Sequence, residues 1–278
     1  MKVVVTGANG KIGTRVMELL TKSGYDVIGI DRDVLNLKKY KHRIVDLLHE
    51  GQVYQTLSNS DAVIHLGSYP RPGIVPDTVT FQNNVNSLYN VLNSCFNLSI
   101  NKVVIASSMA AYGFRYSNGR IAPKYFPVDE KHSCNPIDSY GLSKLLGEKT
   151  ADSFAHGSDM SILSIRIPQV VTSYEEFNER SRNPSVGRDR LWLYIDIGDV
   201  AKAFLNALES SFHGHEVINI GAADTDQLEP SLQLINEFFP NSEIHDGILG
   251  NDSLLNIQKA SNLIGFKPIY SWRKTQQF

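Results

Sequence analysis

The chain has 278 residues, 42% of them hydrophobic and 20% charged, which excludes a disordered protein and leaves room for two domains or one large α/β domain with an appendage. Its 27 basic and 29 acidic residues give a net charge of −2, so there is no electrostatic case for nucleic acid or an anionic membrane as a partner. Two cysteines, Cys95 and Cys134, supply neither a disulfide framework nor metal-ligand spacing, and with no leader or spanning segment legible the expectation is a soluble, cytoplasmic protein.

Short β-branched runs alternate with longer amphipathic stretches over the first two thirds of the chain. Strands are expected at Val3 to Val5, Asp26 to Ile30, Arg43 to Val45, Ala62 to His65, Val103 to Ala106 and Ile162 to Ile167. Helices are expected at Lys11 to Lys22, Gln52 to Leu57, Gln82 to Asn97 and Ser139 to Ala155, where apolar residues recur at helical spacing. The alternation predicts an α/β fold built on a doubly wound parallel sheet with helices on both faces. Beyond Ile167 the stretch from Tyr174 to Asp189 is polar, is broken by Pro184 and Gly187, and reads as a loop or a cover. A helix at Asp199 to Leu208, a strand at Val217 to Ile220 and helices at Leu232 to Phe239 and Leu254 to Leu263 follow. The last of these is expected to stop at Gly265, ahead of Pro268, and the tail from Lys274 to Phe278 to fray.

Thr6-Gly7-Ala8-Asn9-Gly10-Lys11-Ile12-Gly13 joins the first strand to the first helix. Glycines there permit a tight turn and let a pyrophosphate approach the backbone, while the helix start at Lys11 offers free N–H groups and the positive dipole end. The spacing is G-x-x-G-x-x-G, a variant of the shorter dinucleotide fingerprint. Asp31 ends the second strand about 20 residues further on, where a carboxylate accepts from both ribose hydroxyls and repels a 2′-phosphate, which favours NAD over NADP. Arg32 follows and softens that choice. Asp46, after the third strand, is placed to reach the adenine edge.

Tyr140 and Lys144, four residues apart in Y-G-L-S-K, share one helix face and can point into one cleft. A free tyrosine titrates near pH ~10, and an ammonium at about 4 Å with an effective dielectric near 20 contributes roughly 4 kcal/mol, enough to bring a phenol toward neutrality. Ser107 and Ser108 close the fifth strand, at the end where such sheets carry ligands, and a serine hydroxyl there can hold a substrate hydroxyl beside the tyrosine. His213 and His215, in H-G-H, read as a loop, and no metal is expected.

Taken together, these segments resemble an extended short-chain dehydrogenase/reductase of the NAD-dependent sugar epimerase/dehydratase family. The matching pieces are TGANGKIG at 6–13, Asp31, Asp46-Leu47, D-A-V-I-H-L-G at 61–67, Asn84-Val85, S-S-M-A-A-Y-G at 107–113, Y-G-L-S-K at 140–144, Arg166, and Y-I-D-I-G-D-V-A at 194–201. The resemblance implies a Rossmann domain over 1–166 that binds NAD and carries the catalytic Ser108, Tyr140 and Lys144. Over 167–278 it implies a small substrate-binding region, with 194–220 returning to the core. Tyr140 is then the acid/base, Lys144 also binds the nicotinamide ribose, and Ser108 orients the reacting hydroxyl. Leu47, Leu66, Gly67 and Ser68 are expected along the cofactor with Ala106 and Ser107, and Asn84 supports them from a helix. Helices near Val85 to Leu98 and Leu142 to Phe154 resemble the pair that forms the family's dimer interface, which implies a homodimer.

The short interval between Arg166 and Asp199 leaves little chain to hold a nucleotide, so a free sugar or sugar acid is favoured over a UDP-sugar, as in the compact uronate dehydrogenases. Two features depart from those enzymes: Met109-Ala110 stands where they carry Asn and His, and A-Y-G at 111–113 replaces V-Y-G. Met109 and Ala110 also lack the acid pair of the dehydratases. Arg71, Arg188 and Arg190 are candidates to clamp a carboxylate, with Ser108 and Met109 beside the substrate. The alternatives are a nucleotide-sugar 4-epimerase with tightly bound NAD and a non-catalytic NAD(P)-sensing protein.

Overall fold

The computed structural model describes residues 1–33, 40–245 and 247–275. Strand β1 (Lys2–Thr6) leads through the glycine turn into α1 (Lys11–Lys22), followed by β2 (Asp26–Asp31), β3 (Lys41–Ile44), α2 (Glu50–Leu57), β4 (Ala62–His65), α3 (Asp77–Asn97) and β5 (Lys102–Ser108). Next come β6 (Tyr125–Phe126), α4 (Ser139–His156), β7 (Ser161–Ile167), β8 (Gln169–Val171), α5 (Phe177–Arg180), β9 (Tyr194–Asp196), α6 (Ile197–Glu209) and β10 (His215–Asn219). The chain closes with α7 (Ser231–Phe238), β11 (Glu243–Ile244), α8 (Gln258–Ile264) and α9 (Trp272–Thr275).

Seven strands form one sheet in the order β10-β7-β5-β4-β1-β2-β3, every neighbouring pair parallel. Successive residues of the inner strands feed opposite cores. Val3, Val5, Ile64, Val104 and Ile165 pack with α1, α6 and α8, while Val4, Val63, Val103, Ile105 and Ile162 pack with α2, α3 and α4. Burial on both faces is why these strands read as unbroken apolar runs rather than as alternating ones. A third cluster, of Tyr112, Phe126, Trp192, Leu234, Leu254 and others, gathers the loop after β5 with α7 and the segment before α8.

Chain order reverses at β1: β2 and β3 lie on one side and β4 on the other. A crevice therefore opens above the carboxyl ends of β1 and β4, where the crossovers diverge. Two local expectations need correction. β3 lies at Lys41–Ile44 rather than Arg43 to Val45, an edge strand whose residues are all exposed and so leave no apolar pattern. The expected helix from Leu254 begins only at Gln258, because Leu254 and Leu255 are extended and fill the third cluster. The tail expected to fray from Lys274 is described only as far as the end of α9, residues 276–278 lying outside the described residues, and just before it Trp272 is completely buried against Val171, Phe177, Tyr194 and Ala222.

Candidate active site

Thr6, the last residue of β1, is fully buried, and its Oγ1 accepts from the N–H groups of Leu66 and Gly67 at 3.1 and 3.0 Å while pairing with Nδ1 of His65 at 3.0 Å. This bond set clamps the glycine turn to the end of β4. Gly7 has φ +63, and a Cβ on it would lie 2.7 Å from the Gly67 nitrogen; on Gly13 a Cβ would collide with the Gly7 carbonyl. Gly10 caps α1 without a side chain, and the first turn of α1 carries no acid. The N–H groups at its start are therefore not masked by a side-chain acceptor.

The crevice is a cleft of about 470 Å³ whose walls include Gly7, Gly10, Lys11, Ile12, Gly13, Leu66 and Ser68 at one end and Ala106, Ser107, Ser108, Met109, Tyr140 and Lys144 further along. A backbone-lined pocket at an unmasked helix start fits a dinucleotide diphosphate. Asp31 stands at the end of β2 with its oxygens accepting from the N–H groups of Asn9 at 2.9 Å and Arg32 at 2.8 Å. Arg32 turns its guanidinium onto Tyr69, donating to the phenol at 2.7 Å. Asp46 is exposed and accepts from Leu48 N–H at 2.9 Å, and the Leu47 side chain covers Gly67. Asn84 ties three elements together: it accepts from Tyr69 N–H at 2.8 Å and donates to Tyr69 O and Ser143 Oγ, both at 3.1 Å.

Asp138 caps α4 by accepting from Gly141 N–H at 2.8 Å, which places Tyr140 and Lys144 on successive turns facing the cleft. The Ser108 hydroxyl accepts from Ala110 N–H at 3.1 Å and stands beside the Tyr140 phenol, where it favours the phenolate. Burial pushes the Tyr140 pKa up to about 12, and the Ser108 hydroxyl draws it back only in part. Lys144 Nζ donates to Ser68 Oγ and to Ala106 O, both at 2.9 Å, and lies 5.6 Å from the centre of the Tyr140 ring. Burial pulls its own pKa down to about 8. The expectation that the ammonium alone brings the phenol toward neutrality is thus corrected, because desolvation works against the charged form of both groups.

The structure separates the remaining candidates. Ser107 lines the cleft, but its hydroxyl donates to Glu148 at 2.6 Å, and Glu148 forms a buried pair with Arg166. Arg71 and Met109 line the cleft. Arg190 lines it too, yet its Nη2 is 2.6 Å from the buried Asp226, a carboxylate that it shares with Arg180. Arg188 is not a wall residue: its guanidinium lies over the Phe238 and Phe239 rings at 5.8 and 5.6 Å. Sequence reasoning missed Thr6, Arg115, Tyr116, Gln169 and Asp189, of which the last four line the cleft. Arg115 and Tyr116 sit in the loop after β5, Gln169 opens the short strand β8 and Asp189 lies in a single turn before β9, none of which carries a strong local pattern.

Three comparisons with known proteins agree with this architecture. A family model described as NAD dependent epimerase/dehydratase matches residues 3–221. The chain is 25% identical over 235 residues to the L-arabinose 1-dehydrogenase (NAD(P)(+)) of Haloferax volcanii, covering 81% of this chain and 90% of that one. It is 23% identical over 316 residues to a UDP-glucose 4-epimerase of Corynebacterium glutamicum, covering 99% and 93%. A short-chain dehydrogenase/reductase superfamily protein of Agrobacterium tumefaciens, solved with bound NAD, superposes with a TM-score of 0.76 at 20% identity, covering 99% and 94%. Since the family match spans most of the sheet and every segment around the cleft, the chain belongs to the NAD-dependent epimerase/dehydratase family.

Proposed function

We propose that this protein is an NAD-dependent sugar dehydrogenase or epimerase that moves a hydride between NAD and a hydroxyl-bearing carbon of a sugar or sugar acid. The observation that carries this reading is the meeting of the glycine turn, Ser108, Tyr140 and Lys144 in one cleft. NAD bound there supplies the hydride acceptor. Gly7, Gly10, Lys11, Ile12 and Gly13 cradle its diphosphate, with Asn9 fixing the Asp31 carboxylate that takes the ribose hydroxyls. Arg32, Asp46 and Leu47 flank the adenosine end, and Leu66, Gly67 and Ser68, held by Asn84 through Tyr69, run along the middle with Ala106 and Ser107.

Ser108 orients the reacting hydroxyl, and Tyr140 Oη takes its proton on oxidation and returns one on reduction. Lys144 Nζ, on the same helix face, holds the nicotinamide ribose and favours the phenolate. The intact Tyr140–Lys144 pair favours catalysis over a cofactor sensor. The short stretch between Arg166 and Asp199 and the likeness to an arabinose dehydrogenase favour a free sugar. The full-length likeness to a UDP-glucose 4-epimerase supports a second reading, epimerisation of a nucleotide sugar with retained NAD.

We further place the enzyme in the cytoplasm as a homodimer across α3 and α4, where exposed Tyr89 and Phe96 pack edge-on against Phe154. A screen of neutral sugars, sugar acids and UDP-sugars with added NAD, read by NADH absorbance, tests the function. Formation of NADH from a free sugar or sugar acid is expected. A purified protein that carries NAD and interconverts UDP-sugars without releasing NADH supports the second reading. Turnover of neither class overturns both.

A further inference from the structure

Cations crowd the cleft. Lys11, Arg71, Arg115, Lys144 and Arg190 line it against a single carboxylate among the described residues, Asp189. Two of these cations are committed elsewhere, Lys144 to Ser68 and Ala106 and Arg190 to Asp226, and Lys11 stands at the start of α1, at the diphosphate end. Arg71 and Arg115 differ. Neither guanidinium makes a hydrogen bond or ion pair within the described residues, although both belong to the cleft wall.

The loop that carries Arg115 is fixed on either side. Phe114 is buried and stacks on Tyr112 with ring centres 5.6 Å apart, and buried Ser117 donates to Phe114 O at 2.8 Å. Between these anchors Tyr116 adopts φ 66, a left-handed conformation that costs a bulky residue of order 1–3 kcal/mol and persists only where the surroundings impose it. That conformation helps bring the Tyr116 ring to the cleft wall, and the Arg115 guanidinium lies over it, 5.0 Å from its centre. Arg71 reaches the same cleft from the loop after β4. The two arginines follow β4 and β5, beside Tyr140, whereas the diphosphate cradle follows β1.

We propose that Arg71 and Arg115, the latter lying over the Tyr116 ring, form an anion subsite that grips a carboxylate or phosphate carried by the sugar. Planar guanidinium forks match either group bidentately, and an exposed Arg71 with a half-buried Arg115, neither bonded to an acceptor among the described residues, is arranged for one that arrives with the substrate. Burial holds the Tyr116 phenol above its usual pKa, so it remains a hydrogen-bond donor at neutral pH. The inference rests on the sugar-oxidoreductase reading above and narrows its substrate class to anionic sugars.

Binding to the full-length protein saturated with NADH tests the subsite without requiring turnover. Calorimetric titrations with glucose, glucuronate and glucose 6-phosphate compare a neutral probe with the two anionic chemistries. At least one anionic probe is expected to bind ten-fold or more tighter than glucose, and whichever does identifies the group. Arg115→Gln and Arg71→Gln are each expected to reduce that preference about ten-fold, leaving the affinities for glucose and NADH unchanged. Arg115→Lys is expected to recover only part of it, since a point charge lacks the fork. Equal binding of all three probes, no saturable binding of either anion, or a matching loss of NADH affinity in the variants would overturn the proposal. If the anions bind with preference but no sugar yields NADH, the hydride-transfer reading fails and the subsite stands.

Discussion

Among single side chains, Tyr140 and Lys144 are the pair on which the proposed chemistry turns, and burial sets their charge states. The phenol stands at about 12 and the ammonium at about 8, so near neutrality both hold their protons. The ammonium lies 5.6 Å from the centre of the Tyr140 ring, and its positive charge favours the phenolate, although burial outweighs the charges around the phenol. That help is available below about pH 8 and fades as Lys144 loses its proton. Oxidation needs the phenol to accept a proton, so its rate rises with pH as the phenolate becomes accessible. Removing the ammonium with Lys144→Met is expected to move that rising limb of kcat/KM toward alkaline pH by roughly one to two units. A pH–rate profile checks this, and an unmoved limb would show that the charge does not reach the phenol. The pairing was legible in the sequence because four-residue spacing on a helix is local information. The burial that opposes it was not, because desolvation depends on what the rest of the chain packs around the site. The same reason separates Arg188 from Arg190, two residues apart, since only the fold reveals that Asp226 waits for one and phenylalanine rings for the other.

Among elements, the glycine turn joins sequence to function most tightly. Its residues, the strand before it and the helix after it were legible because each follows from local pattern, and α1 spans Lys11–Lys22 as expected. What the pattern does not contain is why Gly13 must be glycine: its Cα lies under the Gly7 carbonyl, so a methyl group meets backbone that cannot move without opening the turn. Gly13→Ala is expected to cost roughly 1–3 kcal/mol of stability through overpacking and to weaken NAD binding. Denaturant unfolding and a fluorescence titration with NADH measure the two effects, and a variant matching the parent in both would contradict the close approach. Elsewhere, element existence was read better than element position. The edge strand β3 has no buried residue to mark it, and Leu254 and Leu255 look helical in sequence but serve the third cluster from an extended segment.

Across the whole molecule, distant segments meet to close the cleft. Trp272, near the end of the described chain, donates from its indole nitrogen to Thr225 O at 2.9 Å and packs with Phe177 and Tyr194, next to the cleft-wall residue Leu193. Trp272→Ala is expected to destabilise the protein by about 3–5 kcal/mol, seen as a lower unfolding midpoint, because a fully buried indole leaves a cavity that its neighbours fill only in part. Nothing in the local sequence announces this role: a tryptophan among polar residues near a terminus looks dispensable until the sheet and the β8–β9 pair bring its partners together. In the proposed reaction the whole arrangement serves one hydride, passed between the sugar carbon and NAD, and one proton, passed to Tyr140. Tyr140→Phe, compared with the parent protein for NADH formation from the best sugar and for NAD affinity by titration, should lose turnover by a hundred-fold or more while binding NAD nearly as before. Turnover retained in that variant would contradict the assignment of Tyr140 as the group that moves the proton.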